Sequence, residues 1–218
     1  MLSKMIKESC PGIFLCVLWA FSEIWSFPNL LPTVLMTYHP TTLEFKLTLK
    51  EQINNQNILE IKKPVRFECD YGFAELSPNE SLNEGLNIYL QSSFDGKYED
   101  QDITIQNLNG NYIESISKAR TFGFYHEIEY LKSQNLIKGG SLDNAIVIKD
   151  RKPLNKDGLR YENELMRHKV LDVVGDLYLA GYPIIGQYKG FKTGHYITNN
   201  LLKELFKSED NYLIHQIH

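Results

Sequence analysis

The sequence predicts an α+β fold: a two-layer sandwich in which a mainly antiparallel sheet packs on helices, with a small strand-helix-strand insert. Three observations predict it. Short alternating segments bounded by turn residues crowd the chain after Ile58, helical spacing appears only further on, and strands precede helices without the regular βαβ alternation of a parallel sheet. No internal repeat is visible. With 218 residues, 43% hydrophobic, 12% aromatic and 23% charged, the chain suits one large or two small globular domains and excludes disordered and fibrous architectures. The 23 Lys and Arg against 27 Asp and Glu leave a formal charge of -4, so no sequence-wide basic field exists to hold a nucleic acid. Cys10, Cys16 and Cys69 give neither a disulfide framework nor a C-x-x-C metal spacing, which points to a reducing, cytoplasmic setting.

The first forty residues differ from the rest. After Lys4, Lys7 and Glu8 the run from Gly12 to Phe21 is uninterrupted apolar, and a second apolar patch spans Leu30 to Met36. That pattern resembles the charged and apolar parts of a signal peptide, but no small-x-small cleavage site follows, and the run is shorter than the ~20 residues that span a bilayer. Three readings stay open: a signal or membrane-contacting anchor, a buried helix of a damaged domain, and residues translated from a misplaced start. His39-Pro40 and the polar run from Lys50 to Asn57 read as a linker. The domain plan is therefore an unmatched segment and linker over 1–57, a folded domain over 58–210 and a tail over 211–218.

Strands are expected at Ile58 to Ile61, Val65 to Cys69, Phe73 to Leu76, Leu86 to Leu90 and Asp102 to Ile105, separated by Pro64, Gly72, Pro78-Asn79 and Asp95-Gly96. Apolar spacing at Tyr112, Ile113 and Ile116 predicts a helix over Asn111 to Ala119. Arg120-Thr121-Phe122-Gly123-Phe124 reads locally as a helix C-cap with core phenylalanines. A short helix follows around Ile128 to Leu131, then a strand at Ala145 to Ile148. The longest periodic segment runs from Tyr161 to Ala180, closed by Gly181 and Pro183.

On that long helix Met166, Val170, Val173, Val174 and Leu177 form the apolar side, while Glu164, His168, Asp172 and Asp176 recur every fourth residue on one face. An imidazole and a carboxylate one turn apart can converge on a divalent cation such as zinc. The plainer alternative is a solvated face whose histidine pairs with an acid. Beyond the apolar strand Pro183 to Tyr188, Gly190 and Gly194 bracket a loop-like stretch that ends at His195, a histidine suited to proton transfer if it stands near a metal and otherwise a loop residue without a role.

The segments Ala119 to Phe124, Gly139 to Ile146, Leu159 to Glu164, Arg167 to Leu177 and Lys192 to His195, in this order and at these separations, resemble the C-terminal domain of the UDP-3-O-acyl-N-acetylglucosamine deacetylases, the zinc amidases of lipid A biosynthesis. The resemblance covers Ile58 to Phe206. It implies that His168 and Asp172 are zinc ligands, that His195 protonates the leaving amine, and that Asp176 orients and charge-stabilises His195. It further implies an oxyanion-stabilising hydroxyl on Thr121, Phe122 against the glucosamine, Lys169 and Lys192 toward the UDP, and substrate contacts from Glu127 and Gly140. An insert between Ile128 and Ile148 would form the acyl passage, with Leu136, Ile137 and Ala145 to Ile148 as its apolar surface.

In the family the general base, a glutamate, and the third zinc ligand, a histidine beside it, lie in an N-terminal domain. No Glu-His pair precedes Ile58, where His39 is the single histidine, so a missing N-terminal domain is an expected partner of this chain. Three functions follow as expectations: a zinc deacetylase acting on UDP-3-O-acyl-N-acetylglucosamine, incomplete as this chain; a catalytically inactive remnant or nucleotide-sugar/acyl-binding fragment; and a membrane-attached interaction protein using Gly12 to Met36.

Overall fold

The computed structural model describes residues 35–39, 44–48, 57–81, 84–134 and 141–216. Strands β1 (Leu35–His39) and β2 (Glu44–Thr48) pair antiparallel, within the segment that the sequence sets apart as unmatched. The apolar run from Gly12 to Phe21 lies outside the described residues, as do Leu136, Ile137 and Gly140.

The main sheet has seven strands: β3 (Asn57–Ile61), β4 (Val65–Cys69), β5 (Gly72–Ser77), β6 (Leu86–Ser92), β7 (Gln101–Ile105), β11 (Ile184–Phe191) and β12 (Tyr212–Gln216). Their two-residue period is visible in burial. Alternate residues of β5, β6 and β11 are buried and the ones between are more open, as a sheet with one covered face requires. β11 runs through the centre, antiparallel to β5 and parallel to β6 and to the end of β3, while the other pairs are antiparallel.

Helices α3 (Glu164–Leu177) and α4 (His195–Leu205) pack on each other and on this sheet, making the second layer. Ile197, Leu201 and Leu205, each fully buried, recur every fourth residue of α4 and meet β4 and β5. Met166, Val170, Val173 and Leu177 give α3 its buried stripe. Tyr188 on β11 is buried, and its hydroxyl shares a 2.8 Å hydrogen bond with Thr198 of α4, which satisfies both groups inside the core.

The insert is a separate sheet of β8 (Thr121–Phe124), β9 (Ala145–Lys149) and β10 (Lys152–Pro153), with α2 (Tyr125–Ser133) between the parallel strands β8 and β9. Asn155 fastens it, accepting from Val147 N at 3.1 Å and donating to Leu142 O and Ala145 O at 2.7 and 2.8 Å. Ala145, Ile146 and Ile148, expected as surface of an acyl passage, are buried, and Ile146 and Ile148 belong to the hydrophobic core.

Four further expectations are corrected. Residues Tyr212–Gln216 are no tail but an edge strand, in register with β3 from Tyr212↔Ile61 to Gln216↔Asn57. The first helix, α1, spans Leu108–Ser115 rather than Asn111 to Ala119, because Ile116 leaves helical geometry. Thr121 to Phe124 form a strand rather than a helix cap, since β9 supplies the ladder partner. The stretch before His195 is loop only from Lys192 to Gly194, since β11 continues to Phe191, and a Cβ on Gly190 would come 2.2 Å from the Thr193 methyl, so glycine suits the point where the chain folds back.

Candidate active site

The four residues of the period-four polar stripe on α3 point inward, not to solvent. Glu164 has no exposed surface and Asp176 is 9% exposed; the side chains of His168 and Asp172 are 21% and 11% exposed. The solvated-face alternative is thereby overturned: the insert and α4 cover the stripe.

His168 Nε2 stands 3.5 Å from Asp172 Oδ1. Two donors of a tetrahedral zinc site with bonds of about 2 Å stand roughly 3.3 Å apart, so this pair fits two of four positions. The other ring nitrogen, Nδ1, is buried without a well-formed hydrogen bond. Burial draws the His168 pKa down, Asp172 opposes this, Lys169 adds to it, and the Ala119 backbone carbonyl favours the protonated ring. A neutral imidazole is the form that binds a metal, and a backbone carbonyl behind the ring is the usual support for one. Lys169 Nζ lies 3.2 Å from Asp172 Oδ2. Among the described residues, no group of three or more His, Cys, Asp or Glu converges as a metal cage.

One turn beyond Asp172, Asp176 receives His195. Nδ1–H of His195 donates to both carboxylate oxygens, at 2.8 and 2.9 Å, in the tautomer that puts the proton on Nδ1. Burial pushes the Asp176 carboxyl above its usual range, the His195 hydrogen bond opposes that, and Asp172 adds like-charge repulsion. The His195 side chain, at the first residue of α4, is 38% exposed.

The other expected site residues divide. Thr121 is half-buried at the entry of β8. Phe122 is 5% exposed and its ring meets His168 edge-on, centroids 6.2 Å apart, with Lys169 Nζ 6.0 Å above it. Lys192, at positive φ, reaches Asp95 Oδ1 at 2.5 Å, and Glu127 accepts from Lys97 Nζ at 2.6 Å, so both are held in partly exposed ion pairs. Gly140 lies outside the described residues. His39 closes β1, and its side chain is likewise outside them.

Sequence reasoning missed Arg120. It pairs with Glu164, which accepts Arg120 N and Nε at 2.9 Å each and Nη2 at 3.0 Å. Burial raises the Glu164 carboxyl, but the Arg120 guanidinium and the backbone N–H groups of Arg120 and Arg160 outweigh it and hold the carboxyl below its usual range. The available signal was an arginine directly before Thr121 and a glutamate four residues before His168.

Residues 43–207 match the family described as UDP-3-O-acyl N-acetylglycosamine deacetylase (LpxC), a match that begins upstream of Ile58. Curated relatives named UDP-3-O-acyl-N-acetylglucosamine deacetylase agree. That of Teredinibacter turnerae is 54% identical over 163 residues, 74% of this chain and 53% of the relative. That of Saccharophagus degradans is 44% identical over 161 residues, 73% of this chain and 52% of the relative, and that of Histophilus somni 42% identical over 168 residues, 75% and 55%. The chain spans about half the length of the curated relatives it matches.

Proposed function

Because the chain belongs to the UDP-3-O-acyl N-acetylglycosamine deacetylase family, we propose that it acts in hydrolysis of the N-acetyl group of UDP-3-O-acyl-N-acetylglucosamine, releasing acetate in lipid A biosynthesis. The observation that carries the reading is the His195–Asp176 pair, set one helical turn from the His168–Asp172 pair on the same buried stripe. His168 and Asp172 would hold zinc, as an imidazole and a carboxylate one helical turn apart can. Zinc, when bound, supplies polarisation of the acetamide carbonyl and hydroxide near neutral pH.

The chain's own groups do the rest. His195, protonated and oriented by Asp176, delivers a proton from Nε2 to the amine nitrogen as the C–N bond breaks. Asp176 also stabilises the charged imidazole, which lowers the barrier to forming it. The Thr121 hydroxyl donates to the oxygen that gains charge. Phe122 supports the sugar side of the site from behind His168, Lys169 and Lys192 serve the diphosphate, and Glu127 and Gly140 complete the substrate contacts. The domain from Asn57 through the edge strand Tyr212–Gln216 is the unit that carries this work, in the cytoplasm. Among the described residues no helix is long and apolar enough to cross a membrane, and peripheral contact through the N-terminal apolar segment belongs to the same proposal.

A third protein ligand and a base for the water proton are needed beside His168 and Asp172, and the resemblance assigns both to a second domain. A second reading draws on the two-donor site: the chain binds a nucleotide-sugar or acyl ligand without hydrolysing it. Metal content of the purified chain, measured together with acetate release in added zinc, decides between them. Stoichiometric zinc with turnover supports the deacetylase, whereas binding of substrate with no acetate at any zinc concentration, even when the N-terminal domain of a relative is supplied alongside the chain, sinks it.

A further inference from the structure

Glu164 is the innermost carboxylate of the long helix and takes no part in the chemistry above. All of its acceptor capacity is used: Oε1 holds Arg120 N and Nε, and Oε2 holds Arg120 Nη2 at 3.0 Å and Arg160 N at 2.5 Å. The Arg120 side chain is 8% exposed and donates Nη2 also to Gly158 O at 2.8 Å. Position matters more here than strength. Arg120 is followed directly by Thr121, and Glu164 sits one turn ahead of His168. The same segment touches the imidazole, because the Phe122 ring meets it edge-on.

Three other bonds tie the start of α3 to the chain leading into β8. Arg160 Nη1 donates to Lys118 O at 2.8 Å, Tyr161 OH to Glu114 O at 3.1 Å, and Arg167 Nη1 to Ser115 O. These carbonyls lie at or just past the end of α1, whose last turn has no basic residue of its own. Stability alone does not explain a buried ion pair, since apolar side chains of similar volume often fill such a space at no net cost. Direction does, because a guanidinium fork on a carboxylate has one arrangement where packed methyl groups have many.

We propose that the Arg120–Glu164 pair is a positioning device for the reaction, locking the entry of β8, and with it the Thr121 hydroxyl, in register with the helical turn that carries His168. This rests on the deacetylase reading for the roles of Thr121 and His168, but the register can be measured without turnover.

Glu164→Ala strands a buried guanidinium and is expected to destabilise the whole domain, which would blur any effect on position. The informative variant is therefore Arg120→Met combined with Glu164→Met in the full 218-residue chain. Its melting temperature should return to near the wild-type value while the His168 ring signal in a proton–carbon correlation spectrum splits or broadens. Zinc affinity should fall by about 10–100-fold, the range for lost support of a metal ligand. Acetate release should show kcat down by roughly 10–100-fold with KM little changed. A double variant that melts with the wild type and keeps one unshifted His168 signal with unchanged zinc affinity overturns the proposal. Should the double variant not fold, Glu164→Gln, which keeps the shape and loses the charge, is read in the same way. Wild-type protein that releases no acetate even with a relative's N-terminal domain supplied, while the variants still disturb His168, retires the deacetylase reading and leaves the positioning role standing.

Discussion

The two ends of α3 carry the same kind of side chain at the same spacing and use it in opposite ways. At the N-terminal end Glu164 is buried with every lone pair occupied, and its carboxyl is held below the usual range. At the other end Asp176 is buried against a single imidazole with Asp172 nearby, and its carboxyl is pushed up. His168, between them, keeps a buried ring nitrogen without a well-formed bond. Period four places all of these groups on one face, but the count of partners decides which become structure and which stay available for chemistry.

His195→Ala is the strongest test of that contrast. It is expected to slow acetate release by roughly 10²–10⁴-fold, about 3–5.5 kcal/mol of barrier at 1.36 per tenfold, with the melting temperature near wild type. A large loss of stability would show that this end is structural too. Next, Glu164→Ala leaves Arg120 buried and unpaired, a loss of about 3–5 kcal/mol and roughly 6–20 °C in Tm for a chain of this size, read by thermal unfolding. A Tm within about a degree of wild type would place the N-terminal end on the same footing as the other.

Asp172→Ala should weaken zinc binding by at least about 10–100-fold, while His195→Ala leaves it unchanged, as measured by competition with a chelating dye. Equal loss in both would show the two roles to be misassigned. The smallest effects are in pH dependence, and they have opposite signs. For Glu164 the lowered pKa means stability that is present above about pH 4.3 and is lost as pH falls through the folded value. For Asp176 the raised pKa means stability that is present below about pH 3.9 and is lost as pH rises through the folded value. Glu164→Gln should flatten the first limb of a Tm–pH profile and Asp176→Asn the second; slopes of the same sign would contradict the assignment.

Much of this was legible from spacing. The strands between Ile58 and Ile105 announce themselves by alternation and turn residues, and the long helix by its apolar stripe and Gly181, whose φ of 77 closes it. The insert's parallel strands were less so, since Thr121 to Phe124 is only four residues long and becomes a strand because β9 lies beside it. Tyr212–Gln216 was read as a tail for the same reason, as its partner β3 lies at the other end of the described domain. Of the site, helical period puts His168, Asp172 and Asp176 on one face and the bracketing glycines single out His195, whereas their roles and Thr121 come from the resemblance and Arg120 from neither.

The sequence by itself determined local period: which residues alternate, which recur every turn, and that His168, Asp172 and Asp176 share a face with Glu164. Backbone geometry imposes those relations within a few residues, whatever the rest of the chain does. Only the tertiary structure decided what each polar group became. Glu164 meets Arg120 from 44 residues away, and Asp176 meets His195 from 19 residues away. Burial and partnership, the two factors that set whether a carboxylate is a strut or a catalyst, are properties of what packs against it, and that is fixed only when the sheet, the insert and α4 close over the stripe.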